Sequence, residues 1–276
     1  MAGRTRTANP VMEPLRVFIG YDPRESIAFH VLSHSILRRA SAPVAIIPIV
    51  RDHLGKVFTR ERGPLESTDF AISRFLVPYL SGYAGVSVFM DCDMLCLADI
   101  HELNPERSGV YDKATDRRIS ASESPAAVWV AKHDYVPKSA IKMDGQQQTA
   151  YPRKNWSSLI VFDNARCRAL SPDYVNLATG LELHRFHWIR DEAIGALPLE
   201  WNWLIGEYPK NHDAKILHYT LGGPWMDGHR DCDHAEEWYA ERAHMMEPSP
   251  KGVLPPWVQA GRCREDALLA RMGLVG

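Results

Sequence analysis

Three short apolar runs, LRVFIG (15–20), VAIIPIV (44–50) and VSVFM (86–90), constrain the fold of this chain most tightly. Each is too short for a buried helix and has the length of a strand buried on both faces. The stretch after the first run, PRESIAFHVLSHSILRRA, opens on Pro23 and sets Ala28, Leu32 and Ser35 on one side, with Phe29 and Ile36 close by. It reads as a helix whose Arg38–Arg39 pair lies at the end favoured by the helix dipole. The stretch FAISRFLVPYL (70–80) reads as helical up to Pro78. Strand, helix, strand, helix, strand predicts an α/β domain around a largely parallel sheet.

The second half is less regular. AVWVA (127–131), SSLIVF (157–162) and KILHY (215–219) read as strands, and Ser171-Pro172 as an N-cap followed by the first helical residue. Asp233 with Glu236 resembles a capping box opening a helix that carries Trp238, Tyr239, Arg242 and Met246 on one side, the aromatic and Met positions being expected in the core. Four prolines between 248 and 257 end the compact part, and REDALLARM (264–272) reads as a short terminal helix. The expected organisation is a flexible tail over 1–14, one domain over 15–247, and a Pro-rich extension over 248–276.

Bulk properties exclude several classes. Net charge is -2, so no basic surface advertises nucleic-acid binding. No apolar stretch reaches the roughly 18 residues of a membrane span, and MAGRTRTANP has no apolar run behind its arginines. The expectation is a soluble protein whose membrane contact, if any, is peripheral. The five cysteines, Cys92, Cys96, Cys167, Cys232 and Cys263, are odd in number and form no CxxC pair, which fits reduced thiols in a cytoplasmic protein.

The chemistry concentrates in VSVFMDCDMLCLADI (86–100), where an apolar strand runs into Asp91-Cys92-Asp93. Alternation sends residues 91 and 93 to one face, about 6–7 Å apart. Two carboxylates so placed repel unless something positive lies between them. A magnesium or manganese ion suits hard oxygen ligands; a solvated turn with two acids is the alternative by spacing alone. KILHYTLGGPW (215–225) brings His218, either a satisfied core histidine or an imidazole for the same ion. Gly222 and Gly223 follow, where backbone amides can approach a phosphate closely.

These segments resemble the GT-A-fold glycosyltransferases of family 8, the group containing glycogenin and bacterial lipopolysaccharide galactosyl- and glucosyltransferases. VFIGYD, ISRFLVPYL, FMDCDML and ILHYTLGGPW match in the family's order; NWSSLIVFDN (155–164) and RDEAIGALPLEWN (190–202) match more loosely. The resemblance covers about residues 15–226. It implies a Rossmann-like nucleotide-sugar transferase fold, a mixed, mostly parallel central sheet flanked by helices. It also implies a manganese or magnesium ion held by Asp91, Asp93 and His218. The donor, a UDP-sugar, is expected against Gly20, Tyr21, Asp22, Arg74, Cys92, Trp156, Ser157, Gly222, Gly223 and Trp225. Asp191 or Glu192 falls beside the transferred hexose, which passes with retention to an acceptor hydroxyl on a glycan, lipid-linked or protein acceptor.

The chain departs from the family pattern at three places. The lysine that commonly precedes Pro-Trp is Gly223, leaving Lys215 or Arg230 as other basic groups for the diphosphate. Trp156-Ser157-Ser158 replaces an Asn-small-Gly order, and Glu192 replaces glutamine. Two rival readings follow: a protein of this fold that binds nucleotide-sugar without transferring it, and a phosphatase of the haloacid-dehalogenase type. The latter places its DxD after the first strand and leaves HYTLGGPW without a role. His184 and His187 read as surface residues, DGHRDCDH (227–234) as a solvated turn, and Trp201 and Trp203 as core or acceptor groove.

Overall fold

The structure, a computed structural model, describes residues 13–63, 66–112, 117–135, 137 and 152–247. Residues 1–12 and 248–276, on which most of the expected tail and the Pro-rich extension with its helix fall, lie outside the described residues. The chain divides into two units, Met1–Glu241 and Arg242–Gly276. Of the second, the described residues 242–247 finish a helix and carry the His244–Glu247 ion pair.

The strands are β1 (Leu15–Gly20), β2 (Val44–Ile49), β3 (Val86–Met90), β4 (Met94–Cys96), β5 (Val110–Asp112), β6 (Arg117–Ile119), β7 (Val128–Ala131), β8 (Leu159–Asp163), β9 (Ile194–Leu197), β10 (Trp203–Leu204) and β11 (Ile216–His218). The helices are α1 (Ser26–Arg39), α2 (Val77–Leu80), α3 (Pro105–Ser108), α4 (Pro172–Leu177), α5 (Gly180–His184) and α6 (Ala235–Met246). The central sheet has the order β2-β1-β3-β8-β7-β9. Pairings β1–β2, β1–β3 and β7–β9 are parallel, and β8 runs against both neighbours. This is the mixed, mostly parallel sheet expected. Its central strands are mostly apolar and buried because both faces are covered, as parallel sheets require.

Helix α1 buries Ala28, Phe29, Val31, Leu32 and Ile36, the large members each worth about 1.5–3 kcal/mol. Ser35, also on its buried face, accepts a hydrogen bond from the Cys96 amide at 3.1 Å, which ties α1 to β4. At its end His34, Arg38 and Arg39 converge on the buried Glu241 of α6.

Two local readings change. Pro78 does not stop a helix: residues 73–76 form a 3-10 turn, and Pro78 lies in the first turn of α2, where a missing N–H has no intrahelical partner to lose. No capping box opens α6. The helix starts at Ala235 after His234 at φ 61, and Glu236 instead pairs with Lys210. Trp238 is core as expected, whereas Tyr239 and Met246 are exposed and Glu241 takes the buried position.

A second, three-stranded sheet, β10-β11-β4, carries the chain's functional edge. Its β11–β4 register sets His218 opposite Met94, directly after the Asp91–Asp93 turn.

Candidate metal centre

The Asp91–Asp93 turn leaves β3 at its carboxyl end and is held by main-chain bonds on both sides. The Asp91 amide donates to the Ser158 carbonyl at 2.9 Å, and the Tyr219 amide donates to the Asp93 carbonyl at 2.9 Å. The side chains of Asp91, Asp93 and His218 then converge, with one ligand atom of each inside 4.8 Å of the others. His218 Nε2 lies 3.3 Å from Asp93 Oδ1. Atoms bound to one small divalent ion at about 2.1 Å sit no more than about 4.2 Å apart, so a rotamer-scale adjustment closes the triad. Two carboxylates and one imidazole are also donors that divalent cations take. The residues fit a cation.

Which histidine nitrogen faces the ion is decided by Asn202. Its Nδ2 donates to Ser158 Oγ at 2.9 Å and to the Asn155 carbonyl at 3.3 Å, so its Oδ1 is the acceptor 2.9 Å from His218 Nδ1. His218 therefore donates through Nδ1 and turns Nε2 toward the triad. Asn155 makes this possible by adopting φ 62, a left-handed conformation that asparagine tolerates. Its own amide donates to Tyr135 Oη at 2.7 Å.

Arg74 supplies charge from behind. Buried, with its guanidinium carbon 4.9 Å from the Phe89 ring and 5.3 Å from the Phe70 ring, it reaches Asp91 Oδ1 at 2.7 Å and the Ser157 carbonyl at 2.8 Å. The expected donor-contacting arginine thus pairs with Asp91, one of the two carboxylates of the triad. Gly20 is required by the same packing, because a Cβ there would meet the Phe70 ring at 2.3 Å.

The other expected residues take varied places. Asp22 is buried and spends its carboxylate on the Arg24 side chain and on the Arg24 and Asp69 amides. Tyr21 is half-buried against Phe29. Cys92 is wholly buried and burial pushes its thiol far up, so only its main chain could meet a ligand. Trp156 is half-buried, its Nε1 bonded to the His133 carbonyl, and Ser157 Oγ bonds His184 Nδ1 at 2.7 Å. His184 is therefore a packed, half-buried residue, correcting its reading as a surface one; His187 is exposed. The Gly222 amide closes a turn on the Tyr219 carbonyl. A Cβ at Gly223 would meet the Trp225 ring at 2.0 Å, so a lysine there would require that ring to move. Neither alternative cation faces the triad in its place. Lys215 pairs with Glu102 over Trp201, and Arg230 pairs with Asp227 on an exposed loop. The 227–234 loop is exposed as expected except at its end, where buried His234 bonds Glu237. Trp201 is core, and Trp203 is half-buried with its Nε1 on the Pro209 carbonyl.

Asp191 and Glu192 are not brought into the triad. Both are exposed, Asp191 with 72% of its side chain accessible and bonded to Arg153 at 2.7 Å, which holds its carboxyl low.

Sequence reading missed three residues. Asn202 was present only as the last letter of a motif. Glu25 looks like an ordinary acid at a helix start, yet it is buried, and burial, then Asp93, push its carboxyl up to about 9. His133 is buried with Nδ1 2.9 Å from Tyr208 Oη, and burial, then His218, push it down to about 3, so it is a neutral imidazole. No periodicity distinguishes any of the three, because each owes its importance to segments distant in sequence.

No protein-family model matches the sequence. Over 238 residues the chain is 46% identical to Protein CDI of Arabidopsis thaliana, an alignment covering 83% of this chain and 86% of that protein. Among solved structures it is similar to the bifunctional glycosyltransferase WbbM in its apo form, with TM-score 0.57 and 15% identity over 88% of this chain and 51% of the other. It is also similar to the apo-form glycosyltransferase GlyE of Streptococcus pneumoniae TIGR4, with TM-score 0.51 and 13% identity over 85% and 61%. The galactosyltransferase LgtC, solved with donor and acceptor sugar analogues, gives TM-score 0.50 and 10% identity over 86% and 98%. The chain spans about half the length of WbbM and less than two thirds of GlyE. At these identities the likeness establishes the fold, that of GT-A glycosyltransferases, without singling out family 8.

Proposed function

The chain belongs to the family of Protein CDI of Arabidopsis thaliana, and from its fold and its site we propose that it is a metal-dependent glycosyltransferase. The observation that carries this reading is the convergence of Asp91, Asp93 and His218 beyond the carboxyl ends of a mostly parallel sheet, with His218 Nε2 freed by Asn202. Ligands of open α/β sheets bind at that end. Asp91, Asp93 and His218 would hold manganese or magnesium, and the ion supplies positive charge toward a departing diphosphate. Arg74 holds Asp91 in place, and Asn202 fixes the tautomer of His218.

The finer assignments rest on the resemblance in sequence. The donor is a UDP-sugar, whose nucleotide meets the segment Gly20, Tyr21 and Asp22, and whose diphosphate and sugar meet Trp156, Ser157, Gly222, Gly223, Trp225 and the main chain of Cys92. A hexose passes with retention to a hydroxyl of a glycan, lipid-linked or protein acceptor. Asp191 or Glu192 stabilises positive charge at the sugar carbon, with Arg153 orienting Asp191. Among the described residues no helix is long and apolar enough to cross a membrane, so a lipid-linked acceptor would be met at a membrane surface.

Calorimetric titration of uridine diphosphate, first with manganese and then with chelator, tests the reading. Binding that requires manganese and is lost in Asp93→Ala supports it. Binding under neither condition removes the donor assignment and leaves only the fold. A second reading, nucleotide-sugar binding without transfer, is favoured by the exposure of Asp191 and its commitment to Arg153. Donor binding with neither transfer nor slow donor hydrolysis would select it.

A further inference from the structure

Glu25 stands at the N-cap position of α1, yet its side chain makes no capping bond. Serine, threonine, aspartate and asparagine are the residues that cap well there. Glu25 is instead turned inward and is 1% exposed. Its Oε2 is buried without a hydrogen-bond partner among the described residues. A buried carboxylate oxygen left in this way is costly unless a charge or a donor compensates it.

The sheet register explains what it faces. Strands β1 and β3 are parallel with Ile19 beside Met90, so the segments that follow, Gly20–Glu25 and Asp91–Asp93, leave the sheet side by side. Asp22 caps the 3-10 turn Pro23–Glu25, and the Glu25 amide donates to the Asp22 carbonyl at 2.9 Å, fixing the direction of the turn. Burial, and then the neighbouring Asp93, Asp22 and Asp91, push the Glu25 carboxyl up, and burial, then Glu25 and the two aspartates that flank it, push up the thiol of Cys92. Four acids, Asp22, Glu25, Asp91 and Asp93, thus meet two arginines, Arg24 and Arg74. Like charges gathered in a largely buried site call for a cation or a proton.

We propose that Glu25 is an outer carboxyl group of the cation site, reaching the ion bound by Asp91, Asp93 and His218 through a bridging water. The inference rests on the reading of that triad as a divalent-cation site. Glu25 falls outside the group whose ligand atoms lie within 4.8 Å of one another, so its reach is through water. Such outer partners typically change metal affinity by about 10–100-fold when removed.

The test is manganese binding to the nucleotide-free protein, measured by calorimetry on the wild type, Glu25→Gln, Glu25→Met and Asp93→Ala, with thermal melts in chelator as the control for folding. Glu25→Gln keeps the shape and replaces the carboxyl by an amide that cannot carry negative charge. It is expected to melt in chelator no lower than the wild type and to bind manganese at least about tenfold more weakly. Glu25→Met, of similar length and without polar atoms, is expected to weaken binding as well, and it carries the test if the Gln variant does not fold. Wild-type affinity in a folded Glu25 variant, with binding lost in Asp93→Ala, overturns the role of Glu25 alone. Absence of manganese binding in the wild type overturns the triad itself, and this inference with it.

Discussion

Single side chains decide whether this site can hold an ion. Asn202 is the plainest case: its amide is pinned by Ser158 and Asn155, and its carbonyl selects the tautomer of His218. Asn202→Leu keeps the volume and loses the acceptor, so manganese affinity is expected to fall about 10–100-fold in calorimetry. An unchanged affinity would break the link between the two residues. Gly223 is fixed by packing: a Cβ there would collide with the Trp225 ring. Gly223→Ala is expected to destabilise by about 1–3 kcal/mol in urea denaturation, and adding Trp225→Ala should relieve that part of the cost. Asp191→Ala, in the proposed role, should spare donor binding and lower turnover; intact turnover in a donor-transfer assay would remove the residue from the sugar side. At this scale the sequence named the triad but not its supports. Asp91 and Asp93 are close in the chain and share a face by alternation alone. Asn202 and Glu25 owe their roles to partners 16 and more residues away, which no local pattern encodes.

Elements convert these contacts into cooperative structure. Helix α1 is docked to the first turns of α6 through Glu241, which is 1% exposed and bonded by His34, Arg38 and Arg39. Burial alone would raise this carboxyl, but the bonds from Arg38 and Arg39 and then His34 outweigh it and hold it at about 2. A folded-state value below the unfolded value of about 4.5 means that the contribution is complete above pH 4.5 and is lost as the pH falls toward 2. That contribution is at most about 3 kcal/mol. Stability measured between pH 5 and 2 should therefore fall more steeply in the wild type than in Glu241→Gln; equal slopes would remove Glu241 from the acid response. The apolar runs and the α1 pattern were legible because a strand buried on both faces is a continuous apolar run and an amphipathic helix repeats its character every three or four residues. The start of α6 was not, because Glu236 found Lys210 from another segment and His234 took the left-handed turn.

The fold as a whole brings two sheets to one edge: β3 delivers the aspartates, and β11 delivers the histidine more than a hundred residues later. Because an ion on that triad binds the folded chain and not the unfolded one, manganese at about a hundred times its dissociation constant should raise stability by about 2.7 kcal/mol. Thermal melts with manganese and with chelator measure this, and Asp93→Ala should abolish the difference; an equal gain in the variant would place the ion elsewhere.

The sequence by itself determined the α/β class, five of the six strands of the central sheet (all but β9) and the placing of Asp91 and Asp93 on one face, because strand alternation and apolar runs are local properties of the chain; His218 entered as a ligand through the family resemblance. Only the tertiary structure decided which histidine nitrogen faces the ion, that Arg74 serves Asp91, that a side chain at position 223 would meet the Trp225 ring, and that Glu25 is turned toward the aspartates. Each of these depends on the distance between atoms far apart in sequence. Hydrogen bonds, ion pairs and steric contacts act over a few ångströms of space, whatever the number of residues between their ends.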